Sequence, residues 1–385
     1  MLPDINNNTE TPVYLDYNAS TPIYPEVVDV MRPLLETGYA NPSSPHEAAA
    51  AARAAIDIAR QQVADLLGAA PDEIVFTSGG SEANNYALRG AFNVQRDRGN
   101  HIITSQVEHP AIIETCRYLE SQGAEVVYLA VDGVGRVDPD DVRKAITEQT
   151  TLISIMHSNN EVGTLQPIAE IAQIAADHDV LMHTDAAQSP GKVSLNVVDS
   201  GVNLLSLAGH KFGAPKGIGV LYIRRGVVLE RLIHGAGHEV GRRAGTESAL
   251  LIAALGKAAE IAAALSSVKS IRTLRDFFWE SLREISGDRV LLNGDPIARL
   301  PNTLNVSFLD HQGATVLQNL DGIAASTGSA CHTGQMEPSP VLTAMGIDRN
   351  RALGAVRFSL GYFTTKDEIE VVLRKLKQSI STETD

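Results

Sequence analysis

The 385-residue chain is short of cysteine, of aromatic side chains and of positive charge. Two cysteines, Cys116 and Cys331, can build neither a disulfide framework nor a zinc cluster, and a reducing, cytoplasmic setting fits them best. Lys and Arg number 32 against 46 Asp and Glu, and the resulting formal charge of −14 argues against nucleic acid or an anionic membrane as the main partner. A small anionic ligand stays open, because a few local donors can outweigh the global field. No apolar run approaches the ~18 residues that a transmembrane helix needs. The opening Met1-Leu2-Pro3-Asp4-Ile5-Asn6-Asn7-Asn8 lacks the basic and apolar regions of a signal peptide.

What is present describes an ordinary soluble globular protein, with 44% hydrophobic and 20% charged residues. The length suits one large domain and a smaller one. Strand and helix patterns alternate from 73 to 223, which predicts an α/β fold with a mainly parallel, doubly wound sheet. From about 260 the order changes to helix, strand, strand and helix, with strands at 303–308 and 355–360, as in an α+β unit. The expected division is therefore a large domain over 13–259 and a small one over 260–385. Residues 1–12 are polar and expected to be disordered or packed loosely on the small domain.

Several polar residues follow directly on apolar runs, at the strand ends where α/β sheets collect function. Tyr14 to Pro22 reads as a strand opening into a turn, and Asn18 there is either a turn residue or a pocket residue. Ser44, Pro45 and Glu47 form a capping box for an Ala-rich helix that runs to Leu67 and stops at Gly68. The strand at 73–76 leads into Thr77-Ser78-Gly79-Gly80-Ser81-Glu82, where backbone N–H groups at a helix start make an anion cradle or simply a tight turn. His109 precedes Pro110 at a helix start, and Cys116 lies inside that helix as a small buried hydrophobe. Asn159 and Asn160 end another strand. Asp185 and Lys211 end the next two, 26 positions apart, and the Gly- and Arg-rich stretch 234–246 is a connection or a binding loop. Cys331 sits among small residues beside His332, which leaves buried and reactive readings evenly weighted.

One cofactor accommodates these pieces. A lysine can form a Schiff base with an aldehyde, a buried carboxylate can keep a pyridine nitrogen protonated, a Ser/Gly cradle suits a phosphate, and a histidine can stack on a ring and shuttle protons. Together they describe pyridoxal 5′-phosphate. A Rossmann dehydrogenase would need a glycine fingerprint after the first strand, and there is none.

The motifs Thr77-Ser78-Gly79-Gly80-Ser81-Glu82-Ala83-Asn84-Asn85, Glu108-His109-Pro110, Asn159-Asn160-Glu161, Asp185-Ala186-Ala187-Gln188, Gly209-His210-Lys211, Arg243-Ala244-Gly245-Thr246 and Gly328-Ser329-Ala330-Cys331 resemble those of the cysteine desulfurases. These are class V, fold-type I pyridoxal-phosphate enzymes, and the resemblance runs from about residue 13 to 378. It implies Lys211 as the Schiff-base lysine, Asp185 as the partner of the pyridine nitrogen and Gln188 as donor to the ring hydroxyl. It implies that His109 stacks on the ring and moves protons, and that Asn160 lies beside ring and substrate. Gly80, Ser81 and His210 would hold the phosphate, joined by Thr246 from the neighbouring subunit of a homodimer. Asn18 and Arg357 would bind substrate, the guanidinium clamping its carboxylate. Cys331 would take sulfur from L-cysteine as a persulfide, release alanine and pass the sulfur to an acceptor protein such as an iron–sulfur scaffold, with His332 to Pro340 as a mobile loop. No metal is implied.

The chain departs from the family pattern in three places. Ala208 stands where the family often has Ser or Thr, so a phosphate contact is either missing or supplied by another group, with Ser206 the candidate. Val240 and Tyr362 each replace a common Arg. Ala330-Cys331-His332 with Pro338-Ser339-Pro340-Val341-Leu342 is similar to selenocysteine lyases, which leaves L-selenocysteine as an alternative substrate. A catalytically weak sulfur-transfer scaffold is the alternative of another class.

Overall fold

The computed structural model describes residues 12–264, 268–328, 330–332 and 335–381. The expectation for residues 1–12 therefore falls, but for the last of them, outside the described residues. Ile74-Val75-Phe76, Ile102-Ile103, Leu152-Ile153 and Leu204-Leu205 are short apolar runs with no exposed face, as the central strands of a sheet covered on both sides require. They fall in a seven-stranded sheet ordered Ile74–Thr77, Gly219–Ile223, Leu204–Ala208, Leu181–Asp185, Thr150–Ser154, His101–Ser105, Glu125–Leu129. Neighbouring strands are parallel except at Gly219–Ile223, which is antiparallel to both of its partners. Two reversals cancel, so Ile74–Thr77 runs the same way as Leu204–Ala208. The carboxyl ends of these strands therefore meet along one edge.

Helices cover both faces of this sheet. Ala50–Leu67 and Ala249–Ala263 lie against each other, and a Cβ added to Gly256 would stand 2.5 Å from the Ala59 Cα, so only glycine permits that approach. Gly68 ends Ala50–Leu67 with φ 64°, as expected. The start differs from expectation. His46 is extended with ψ 161°, a 3-10 turn at Glu47–Ala49 leads into the helix, and no Ser44 capping box forms. The Ser44 carbonyl instead accepts from Arg53.

A second, antiparallel sheet of three strands has the order Ala355–Ser359, Thr303–Phe308, Val290–Asn293. Helices Val268–Ser286 and Lys366–Ser381 pack on it around Phe278, Phe308, Phe358 and Leu376, a core separate from that of the large sheet. The amino-terminal strand Val13–Tyr14 pairs in parallel with Ile323–Ala324, and Asp16 bridges to Ser359. The beginning of the described chain is thereby sewn to the second sheet, while the turn after it reaches the large sheet's carboxyl edge. No single helix among the described residues is long and apolar enough to cross a membrane.

Gly256→Val is expected to force the two packed helices apart at a cost of about 1–3 kcal/mol. Urea unfolding would show it as a lowered midpoint, and an unchanged midpoint would mean that the close approach carries no packing energy.

Candidate active site

The carboxyl edge of the large sheet, the turn at Asn18 and Ala19 and Arg357 of the second sheet enclose a cavity of about 370 Å3. Asn18, Gly80, Ser81, His109, Asn160, Asp185, Gln188, His210, Lys211 and Arg357 all line it. Strand direction explains the convergence: Gly80 follows Ile74–Thr77, His109 follows His101–Ser105, Asn160 follows Thr150–Ser154, Asp185 ends its strand, and Lys211 closes the 3-10 turn after Leu204–Ala208.

Asp185 is buried, and both of its oxygens are fixed. Oδ1 accepts from the Ala187 N–H at 3.0 Å and Oδ2 from Asn84 Nδ2 at 2.6 Å. Asn84, on the helix Gly80–Gln95, thus helps orient the carboxylate. Its own Oδ1 is buried without a hydrogen-bond partner among the described residues.

Gly79 opens the helix Gly80–Gln95 with φ 152° and ψ 179°, a conformation that side-chain-bearing residues avoid. It brings no capping side chain, so the first turn presents its N–H groups and the positive end of the dipole at the cavity wall. The Ala208 methyl packs here, 3.1 Å from where a Cβ on Gly80 would stand. Ser206 does not replace the hydroxyl that Ala208 lacks. Its Oγ is buried in the sheet at 3.0 Å from His183 Nε2, and it does not line the cavity, because a residue two positions back from Ala208 lies a full pleat away.

Lys211 Nζ donates to the carbonyls of Asn18 at 2.7 Å and Ala19 at 2.9 Å. Burial pulls its pKa down to about 8, with Arg357 acting the same way and Asp185 and Asp16 opposing. His210 is held neutral, at about 4, by burial and by the neighbouring lysines 211 and 216 and His109. His109 caps its helix by accepting the Ala111 N–H on Nδ1 at 3.1 Å, which assigns the proton of the neutral ring to Nε2. Burial lowers its pKa, and the Asp185 charge acts against that.

Arg357 spans the two sheets. Nη2 pairs with Asp16 Oδ1 at 2.7 Å, Nη1 donates to the Asn160 carbonyl at 2.9 Å, and Nε is buried without a partner among the described residues. Asn18 is committed throughout: its side chain bonds Asn160, Thr303 and Asn302, and its carbonyl also accepts from Gln188 Nε2 at 2.8 Å. Gln188 Oε1 in turn accepts from Lys192, a buried amine whose pKa burial lowers to about 7. Sequence reasoning gave no role to Asp16, Asn84 or Lys192. Lys192 meets Gln188 across the irregular turn through Pro190 and Gly191, which no periodic pattern announces, and nothing local connects Asp16 to Arg357.

Thr246 is exposed and does not line this chain's cavity. Val240 is 88% exposed with φ 54°, and Tyr362 packs on Tyr24 at a centroid distance of 5.1 Å, so neither departure from the family pattern touches the cavity. Cys116 is fully buried and its thiol is pushed up to about 12. Ala330–His332 pairs antiparallel with Gln335–Glu337, Cys331 opposite Met336, so a hairpin stands in much of the stretch expected to be a mobile loop. The side chain of Cys331 lies outside the described residues.

With a pKa near 8, the Lys211 amine is an ammonium below that pH and a nucleophile above it. Capture of the aldehyde cofactor by cofactor-free protein is therefore expected to accelerate as pH rises through about 8. Stopped-flow absorbance would follow it, and a rate that does not change across that point would contradict the depressed value.

Comparison with known proteins agrees with this geometry. The Aminotransferase class-V family matches residues 13–372. The chain is 46% identical over 372 residues to Cysteine desulfurase IscS of Dictyoglomus turgidum, covering 96% of this chain and 94% of that protein. It is equally 46% identical over 372 residues to Cysteine desulfurase IscS of Methanosarcina thermophila, covering 96% and 92%. Among solved structures, a NifS-like protein superposes with a TM-score of 0.90 at 36% identity over 96% of this chain and all of that one. A structure described as SspA in complex with cysteine superposes with a TM-score of 0.82 at 40% identity, covering 92% of this chain and all of that one. The chain belongs to the class-V aminotransferase family and, within it, to the cysteine desulfurases.

Proposed function

We propose that the protein removes sulfur from L-cysteine, releases L-alanine and leaves a persulfide on Cys331. The observation that carries this reading is that Asp185 and Lys211 line one cavity with an uncapped helix N-terminus and with Arg357. The family is pyridoxal-phosphate-dependent, and these residues fit that group. Asp185 is a buried carboxylate held by two donors, Gly80 and Ser81 open a helix toward the cavity, and Lys211 is an amine of depressed basicity. When bound, pyridoxal phosphate supplies an aldehyde that condenses with amines and a protonated ring that draws electrons from the substrate's α-carbon.

Around it, each residue does work of its own. Asp185 keeps the ring nitrogen protonated. Gly80, Ser81 and neutral His210 receive the phosphate, and Arg357 receives the substrate carboxylate. Lys211 Nζ, once free, takes the α-proton, and its lowered pKa lets it act as a base near neutral pH. His109 Nε2 carries protons at the substrate sulfur. The Cys331 thiolate attacks that sulfur. A sulfur–sulfur bond forms, the substrate's carbon–sulfur bond breaks, and the electron pair stays on the three-carbon fragment, which takes up a proton and leaves as alanine. In this reading Thr246 reaches the phosphate of a second subunit, and its exposure away from the cavity of its own chain supports that role. A large cofactor domain divided from a small one near residue 260, a cytoplasmic setting and an iron–sulfur scaffold or similar protein as sulfur acceptor complete it.

Lys211→Ala should abolish covalent cofactor attachment and turnover, and normal turnover in that variant would remove the assignment. Cys331→Ser should keep the cofactor spectrum but form no persulfide by mass spectrometry; undiminished sulfur transfer would put the nucleophile elsewhere. Alanine release from cysteine and selenocysteine, compared side by side, decides the chalcogen, and turnover of selenocysteine alone would overturn the cysteine reading. Thr246→Ala should weaken cofactor affinity about tenfold through loss of a charge-assisted hydrogen bond. A fully active monomer in sedimentation would contradict its role across subunits.

A further inference from the structure

Glu161 is buried and has so far had no part in the chemistry. Its backbone is fixed on both sides, the N–H donating to Asn159 Oδ1 at 2.8 Å and the carbonyl accepting from Asn305 Nδ2 at 3.1 Å. The residue before it, Asn160, lines the active cavity and takes Arg357 on its carbonyl. Its side chain turns to a different task. Oε2 accepts from Ser339 Oγ at 2.6 Å. Oε1, without a partner among the described residues, lies 2.6 Å from where a Cβ on Gly328 would stand.

Gly328 and Ser339 are the two ends of the segment that contains the hairpin Ala330–His332 and Gln335–Glu337. Gly328 has φ 63°, and the carboxylate fills the space a side chain would need, so glycine is required there twice over. Just before it, Ser326 exchanges backbone hydrogen bonds with Arg357 at 2.7 and 3.2 Å. Ser339 is buried and also caps the helix Pro340–Ala344 by accepting from Val341 and Leu342. One carboxylate thus bonds one end of the segment at Ser339, packs against its other end at Gly328 and, one residue back along the chain, adjoins the wall of the active cavity.

We infer that Glu161 is a positioning residue for Cys331, fixing both ends of the hairpin against the cavity wall so that the thiol is delivered to substrate from a defined base. This rests on the role given to Cys331 above.

The test uses the cofactor-loaded enzyme. Ser339→Ala and Glu161→Ala are each expected to speed amide hydrogen exchange across 330–337 about tenfold, the effect of losing one buried hydrogen bond. Each should also lower kcat for persulfide formation by a comparable factor, with KM for cysteine and the bound-cofactor spectrum unchanged. Glu161→Gln, whose amide oxygen still accepts from Ser339, should restore slow exchange. Exchange and kcat at parent values in Ser339→Ala would overturn the inference, as would a KM or cofactor spectrum that moves as far as kcat. If Glu161→Ala does not fold, Ser339→Ala decides alone. If the parent protein forms no persulfide at all, the functional reading fails, and the exchange measurement still judges the clamp.

Discussion

The site depends on Asn18. Its carbonyl takes hydrogen bonds from Lys211 and Gln188, its side chain joins Asn160, Asn302 and Thr303, and its N–H donates to Ser359 Oγ. These partners come from loops of the large sheet and from strands of the small one. Individually such bonds contribute only about 0.5–1.5 kcal/mol, but removing a buried hub strands several partners at once, and each stranded group costs its own desolvation. A residue near the amino terminus therefore holds two separately cored units in register at the place where chemistry is done.

Within that frame, burial sets the reactivity. Lys211, Lys192 and Arg357 share a small volume, and desolvation leads the causes that lower both lysines. Asp185 and Asp16 offset part of the positive charge. The result is a site whose charge is set locally inside a chain of net charge −14. The Arg357 guanidinium and the helix dipole at Gly80 suit a carboxylate and a phosphate. The global charge spoke against polyanionic partners and said nothing about this pocket, because the local potential is set by a few desolvated groups.

Much of the site could be read from the sequence because strand ends can be read. An apolar run followed by a polar residue marks a carboxyl end, and in a mainly parallel sheet those ends share an edge; this is why Asp185 and Lys211 pair on sequence grounds, whereas roles for His109 and Asn160 follow only from the family resemblance. What escaped was contact between distant segments. Asp16 meets Arg357 only because Val13–Tyr14 pairs with Ile323–Ala324, and no local pattern announces that pairing. Ser44 shows the opposite error, a sound local capping signal overridden when His46 stays extended and a 3-10 turn enters the helix instead. Ser206 carries the right hydroxyl but stands a full two-residue repeat back along the strand from Ala208, where its Oγ meets His183.

An electron sink and a nucleophile carried on different parts of a fold raise a problem of distance that cofactor chemistry alone does not solve. Here the run Asn159-Asn160-Glu161 joins them. Asn159 anchors the run to the Val107 carbonyl, two residues before His109, at 3.1 Å. Asn160 lines the cavity and accepts from Arg357 on its carbonyl, and Glu161 bonds Ser339 and packs against Gly328. Three consecutive residues thus link the loop before His109, the Arg357 guanidinium and the carboxyl-terminal end of the Cys331 segment. In the proposed reaction this linkage would register the three groups to one another. In that proposal, a thiol on a hairpin would need registration to the site more than rigidity, since the same sulfur would later leave the cavity for an acceptor.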